Sequence, residues 1–454
     1  MRRLPRKIGH FVRHPKGVTV FFLAALAIAA SGASGRADDL RPAAALSSTA
    51  ETVYAAARPH LLQIRTIVEA AGRQYVIGSG FLVSNDGLAI TNYHVVSQYA
   101  LEPQTYRLEY ALADGSKGKL DLLAIDVGND LAVVRLDRTS DGFFRFDPRA
   151  ETGGPQKGER LFSMGNPLDL GFTIVEGTYN GLVERTYNQR LHFSGAINPG
   201  MSGGPTVTAD GAVAGINVSR QLSGELVSFL VPARFAAALL ARAQAQTEVP
   251  KDFTAEIGRQ FTEWQTGLYK SLDDSGFRAV GLGDYQVPES SASWFSCWGR
   301  TNAGQVPKPR AVIDISACNS DTQLFIANDL NTGFVRLTHA YLKSESLNQF
   351  QFAAFLSQQI QPGFGGWSRK WQTQQRCHED FVSLSAAGPR PPLRSVWCAR
   401  AYRAFPGLYD VTLTAVTQDS GTEALVSQLA MHGVIYDTAV AVSRRFLEAV
   451  TWTK

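Results

Sequence analysis

Gly200-Met-Ser-Gly-Gly-Pro205 is the stretch on which the reading of this 454-residue chain turns. A serine hydroxyl is a weak nucleophile at neutral pH and needs a base and an anion site beside it. Glycines on both sides of Ser202 let the backbone turn sharply and leave N–H groups free to point outward, which is how a serine loop becomes an oxyanion hole. Read alone, the same stretch is also a plain glycine-rich turn. Its meaning depends on what else the chain supplies.

Two upstream segments supply the rest. In Thr91-Asn-Tyr-His-Val-Val96, His94 follows the apolar run Leu88–Ile90 and heads the step Val95-Val96. That places an imidazole at a strand-to-helix junction, held firmly yet able to reach a cleft. In Asn129-Asp-Leu-Ala-Val-Val-Arg135, Asp130 directly precedes an apolar strand. A lone histidine or aspartate in such a place is ordinarily structural. Together they give the chain order His94, Asp130, Ser202, one of several orders known for the serine–histidine–aspartate constellation. The gaps of 36 and 72 residues allow His94 and Asp130 on one small barrel and Ser202 on a second, with the site in the crevice between them.

The surrounding pattern agrees. From Ser47 to Gln246, short apolar runs such as Gly80–Val83, Leu131–Leu136 and Ala212–Val218 are separated by Gly, Asn and Asp turns, the signature of a sandwich or barrel. Ala50–Ala57 and Pro232–Ala245 read as flanking helices.

On these residues the chain resembles the trypsin-like serine peptidases, and among them the HtrA family of envelope quality-control proteases. The motifs are Gly78-Ser-Gly-Phe-Leu-Val-Ser-Asn-Asp-Gly87, Thr91-Asn-Tyr-His-Val-Val96, Asn129-Asp-Leu-Ala-Val-Val134, Met164-Gly-Asn-Pro167, Ala196-Ile-Asn-Pro-Gly-Met-Ser-Gly-Gly-Pro205 and Gly215-Ile-Asn217. The resemblance implies an all-β double barrel of chymotrypsin type. It assigns His94 as general base, Asp130 as its orienter, Ser202 as nucleophile, and the N–H groups of Gly200 and Ser202 as the oxyanion hole. It implies polypeptide substrates, and by analogy unfolded or damaged envelope proteins.

Three departures limit the resemblance. Met201 stands before the nucleophile where the family usually carries Asn and pancreatic-type proteases Asp, so activation by ion pairing with a newly cut N-terminus is not available. Ser194-Gly195 stands where the family tends to carry an acid, which leaves the specificity pocket open. After residue 246 no PDZ-like module is recognisable, nor is the aromatic N-terminal segment through which many HtrA proteins trimerise.

Pro250 breaks the chain. In Asp252–Leu272 the residues Phe253, Ile257, Phe261, Trp264, Leu268 and Leu272 recur every three or four positions, one apolar stripe on a helix. From residue 275 an α+β region is expected, with a weak duplication. Cys318 precedes the strand Phe334–Leu342 and the periodic stretch Leu347–Ile360; Cys398 precedes the strand Tyr409–Gln418 and the periodic stretch Thr422–Val434. Two copies of a disulfide-pinned hairpin, strand and helix would explain it. All four cysteines lie here, in two sequential pairs 21 residues apart. Behind an export signal an even count favours disulfides, and the local pairs Cys297–Cys318 and Cys377–Cys398 are preferred, with the other two pairings open. Zinc is the rival reading, weakened by the lack of a C-x-x-C spacing. Trp294, Trp298, Trp367 and Trp371 are candidates for a binding surface or for core.

The N-terminus reads as a cleaved export signal, with an uncleaved anchor as the alternative. Seven cations in residues 1–37 precede or flank a 13-residue run, Val18–Ala30, shorter than the roughly 17–25 residues of a membrane span. Cleavage fits after Ala33 or Ala37. The formal charge of +4 comes from this leader; without it 37 Lys and Arg face 40 Asp and Glu. Nucleic-acid binding driven by charge is therefore not expected. With 44% hydrophobic and 19% charged residues, the rest is ordinary globular chain.

The expected organisation is multidomain: residues 1–37 signal peptide, 38–250 serine protease domain, 251–274 linker helix, 275–454 disulfide-containing α+β domain. The expected function is an exported serine endopeptidase without cofactor or metal, touching membrane only through a retained leader. The alternative is a peptidase-fold scaffold that turns nothing over. A nucleotide-binding protein is excluded for want of a G-x-x-x-x-G-K-[ST] sequence.

Overall fold

Short apolar strands separated by turns close a first barrel upstream of residue 136. The computed structural model describes residues 47–220, 226–246, 248, 250, 252–364, 366, 368–382, 393–417 and 421–452. The leader, its cleavage positions and Trp367 lie outside these. After α1 (Ser48–Ala57) come β1 (Leu61–Val68), β2 (Arg73–Leu82), β3 (Leu88–Thr91), α2 (Tyr93–Leu101), β4 (Tyr106–Leu112), β5 (Lys117–Asp126) and β6 (Leu131–Leu136). The six strands close in the order β1-β2-β3-β6-β5-β4, all pairs antiparallel. A second closed barrel, β10-β11-β12-β9-β8-β7, is built from β7 (Arg160–Gly165), β8 (Thr173–Leu182), β9 (Leu191–Phe193), β10 (Pro205–Val207), β11 (Val213–Arg220) and β12 (Ser228–Pro232), followed by α3 (Ala233–Ala245). Closure leaves no free sheet edge. Leu61, Phe81 and Ile90 of the first barrel pack in one core with Phe162, Met164 and Val207 of the second. This is the double barrel implied by the motifs.

The remainder is mostly β. β13 (Phe277–Leu282), β14 (Tyr285–Ser290) and the terminal β24 (Thr451–Trp452) form a small sheet, and β17 (Leu324–Ala327) and β18 (Leu330–Thr332) a hairpin. A seven-stranded antiparallel sheet runs β15-β16-β19-β23-β22-β21-β20, with β15 (Phe295–Thr301), β16 (Val312–Ser320), β19 (Val335–Lys343), β20 (Arg376–Val382), β21 (Leu393–Ala401), β22 (Leu408–Thr417) and β23 (Glu423–Ile435). Cys297 faces and bonds Cys318 across β15–β16, and Cys377 faces and bonds Cys398 across β20–β21. The two bridged hairpins thus stand at opposite edges of one sheet.

The second periodic stretch is not a helix. Residues 423–435 are the strand β23, and the helix α6 (Tyr436–Glu448) comes after it, whereas the first copy does form α5 (Gln349–Gln359). β23 lies inside the sheet between β19 and β22, with Ala424, Leu425, Val426, Leu429 and Met431 all buried. A strand covered on both faces loses the simple alternation that marks a half-exposed one, so its apolar run imitates a helix.

The stripe after Pro250 forms α4 (Phe253–Ser275), capped by Asp252, whose carboxylate accepts from the N–H groups of Thr254 and Ala255. Phe253, Ile257 and Phe261 share a core with Leu122, Ile125 and Val127 of the first barrel, and with Leu324, Ile326, Ala327 and Leu330 of the hairpin. Leu268, Tyr269 and Leu272 pack into the seven-stranded sheet. One helix therefore serves two cores. Gln260 fastens it: its Nε2 donates to Ile125 O (2.9 Å) and its Oε1 accepts from Val127 N (2.8 Å). Trp294 and Trp371 are core, while Trp298 is exposed.

Candidate active site

Asn92 follows β3 and occupies the position before α2, its side chain making no cap hydrogen bond, so His94 sits in the first turn of that helix. Asp130 sits on the tight turn before β6 with φ 64°, a left-handed conformation that Asp tolerates better than most residues. Its carboxylate then faces the helix start. Oδ1 accepts from the His94 backbone N–H (2.8 Å), and Oδ2 is 2.7 Å from His94 Nδ1. The Asn92 side chain donates to Asp130 O (2.7 Å), locking the turn from the other side. Burial works against a charged His94, but the Asp130 charge and its hydrogen bond outweigh it, and the imidazole pKa lies above its ordinary 6.5.

The Ser202 loop is fixed by close backbone contacts. Gly200 has φ 95°, and a Cβ there would lie 2.4 Å from Asn166 O. Gly203 has φ 85°, and its Cβ would lie 2.3 Å from Ser79 O. Neither position admits a side chain without displacing backbone. Pro199 O accepts from Leu168 N (2.9 Å). Because the peptide is planar and trans, the Gly200 N–H points the opposite way. Among the described residues neither the Gly200 nor the Ser202 N–H has a backbone acceptor. Ser79 ties the loop to the first barrel: its N–H donates to Ser202 O (2.7 Å) and its hydroxyl to Gly200 O (2.7 Å). Behind the loop the fully buried Asn217 amide donates to Met164 O (2.9 Å) and Met201 O (3.2 Å), and accepts from Ser163 and Thr206.

Met201 is fully buried in the second barrel, with Leu161, Phe193, Ile197 and Leu230. The side chain that replaces the family's polar residue is thus a core residue. Ser194 bonds the backbone of Thr178 on β8. The Ser202 hydroxyl donates to Val218 O at 3.5 Å, and no bond to His94 accompanies it among the described residues.

Residues 78–216 match the trypsin-like peptidase domain. Among curated relatives, a probable periplasmic serine endoprotease DegP-like of Chlamydia muridarum is 32% identical over 152 residues, 32% of this chain and 29% of its own length. A putative serine protease HhoB of Synechocystis is 32% identical over 171 residues, 35% of this chain and 38% of its own. The chain spans well under two thirds of either relative. The serine endoprotease of Yersinia pestis has a similar structure, at 24% identity over 44% of this chain and 67% of that one, with a TM-score of 0.38. Residues 78–216 are a trypsin-like peptidase domain.

The C-terminal region reaches this peptidase domain at the histidine. The Phe325 ring of β17 stands edge-on to His94, with centroids 5.9 Å apart, and to Tyr93 at 6.2 Å. The buried Tyr93 hydroxyl donates to Ile326 O (2.8 Å). On the other barrel, Trp264 of α4 donates to Asn188 Oδ1 (3.0 Å), and Tyr187 packs edge-on against Trp264 and Trp294. A cavity of about 670 Å³ lies between: His94 and Asp130 on one wall, Asn188, Arg190 and Phe229 on a second, and the segment from Ser320 to Asn331 on a third. Sequence reasoning missed Phe325 and Arg190. Neither sits in a motif, and Phe325 reaches His94 only because α4 and the hairpin share the first barrel's core.

Proposed function

We propose that the protein is an exported serine endopeptidase in which Ser202 Oγ attacks the scissile carbonyl while His94 takes its proton. The observation that carries this reading is the two-point grip of Asp130 on His94. It leaves Nδ1 carrying the ring proton, so Nε2 is the basic nitrogen. The unengaged Gly200 and Ser202 amides would hold the tetrahedral oxyanion, each donor worth about 3–4 kcal/mol of barrier. His94 then returns the proton to the leaving amine, and water resolves the acyl-enzyme. The periplasmic relatives support envelope polypeptides as substrates.

The Ser202–Val218 contact favours a second reading, a silent peptidase fold used for binding. At 3.5 Å it is weak for an O–H donor, and catalytic hydrogen bonds often tighten only with substrate bound. A fluorophosphonate probe separates the two. Covalent labelling is expected at Ser202, abolished in Ser202→Ala and reduced at least a hundredfold in rate in His94→Ala. Folded wild-type protein that takes up no label would leave the binding reading.

The raised His94 pKa sets a pH dependence. The base must be neutral, so kcat/KM rises with pH and its midpoint lies above 6.5. Stability runs the other way. A folded-state pKa above the unfolded one stabilises fully below the unfolded value of about 6.5, and that contribution is lost as pH rises through the folded value. In Asp130→Asn only burial remains and the midpoint drops below 6.5, which an NMR titration of the ring protons would follow. An unchanged midpoint would remove Asp130 from this role.

A further inference from the structure

Arg190 is the one arginine or lysine lining the cavity beside His94, and among the described residues it has no charged partner. Arg190 precedes β9 at its entry, and among the described residues its five N–H donors make one hydrogen bond, from Nη1 to Gln189 O (3.0 Å). No carboxylate lies within ion-pair distance of it among the described residues. The guanidinium is half-buried on the cavity wall, where burial lowers its pKa, partly offset by the nearby charges of Asp130 and Asp126. A cation so placed gives up part of its hydration without the gain of a pair.

The acids on the cavity walls and the nearby Asp126 do not answer it. Both Asp130 oxygens are taken by His94. Asp126 spends its carboxylate on the Asn129 backbone and side chain, at 3.0 and 2.9 Å. Asp321, on the C-terminal wall, is exposed and makes no ion pair among the described residues. A planar carboxylate from outside is the group that matches an unpaired guanidinium, through two parallel hydrogen bonds.

We propose that this cavity is a substrate subsite in which Arg190 receives a carboxylate of the bound polypeptide, with the segment from Ser320 to Asn331 as its far wall. The inference rests on the peptidase reading above. It gives the C-terminal region a share in choosing substrate: the third wall is fixed, because Leu324, Ile326 and Leu330 are buried in the first barrel's core.

The test uses the full chain and peptide libraries carrying Asp or Glu against Asn or Gln at each position around the cut, with free-acid and carboxamide C-termini compared separately. The readout is the acid-to-amide ratio of kcat/KM, taken within each variant so that a general loss of activity cancels. Wild type is expected to prefer the acid about tenfold or more at one position. Arg190→Gln brings the ratio near one, Arg190→Lys keeps part of it, and Asp321→Asn raises it about twofold by removing a like charge. A preference confined to free-acid termini would make the ligand a chain end; one at an internal position makes it a side chain. No acid preference in wild type that labels at Ser202, or a preference retained in Arg190→Gln, overturns the subsite alone. An unchanged ratio in Asp321→Asn overturns the share of the C-terminal wall. Wild type that does not label at all takes the peptidase reading down with it.

Discussion

Asp130→Asn is expected to lower kcat/KM about ten-thousandfold while the melting temperature stays close to wild type. Asn suits the backbone: φ is 64° at this position, and Asn is among the few side chains enriched in the left-handed region. Its Oδ1 can still accept from the His94 N–H, so the start of α2 keeps its anchor. The loss falls on the second contact. Where the carboxylate offers Oδ2 to Nδ1 at 2.7 Å, the amide offers an N–H. Two donors cannot face each other, so the ring proton moves to Nε2 and the nitrogen meant to receive the Ser202 proton is already occupied. Peptide hydrolysis and thermal unfolding measured on one preparation check this. A loss below tenfold with unchanged melting would mean that Asp130 only shapes the turn.

A fragment ending at residue 250 is expected to lose cooperative folding, not merely regulation. Phe253, Ile257, Phe261, Leu324, Ile326 and Leu330 all contribute to the core that holds the first barrel together. Each is a side chain whose burial stabilises by about 1.5–3 kcal/mol, against a typical total of about 5–15. Removing them bares the apolar outer side of Leu122, Ile125 and Val127, and takes Gln260 away from Ile125 O and Val127 N. Residues 47–250 should aggregate or bind a hydrophobic dye, while the full chain unfolds with both regions together. Calorimetry of the fragment decides it: a sharp transition near that of the full chain would show that the barrels stand alone. Helix α4, expected as a linker, is built as a bracket, with one end in each core.

Much of the catalytic half was legible because its signals are local. Gly200 and Gly203 must be glycine, since Asn166 O and Ser79 O occupy the space of a side chain. His94 follows a strand that the run Leu88–Ile90 already announces, and Asp130 precedes one in the same way. β23 was misjudged because a strand buried on both faces loses the alternation that short-range reading relies on. The meeting of Phe325 with His94 had no local signal at all.

The sequence by itself determined the double barrel and singled out His94, Asp130 and Ser202 as candidates, because short apolar runs, turn residues and obligatory glycines are imposed over a few neighbouring positions. Only the tertiary structure decided what faces them. Whether Met201 lies in core, whether Arg190 finds a partner, and which distant hairpin closes the cleft all depend on packing between segments that are not neighbours in sequence. That packing follows from the shape of buried surfaces, which no short stretch of chain encodes.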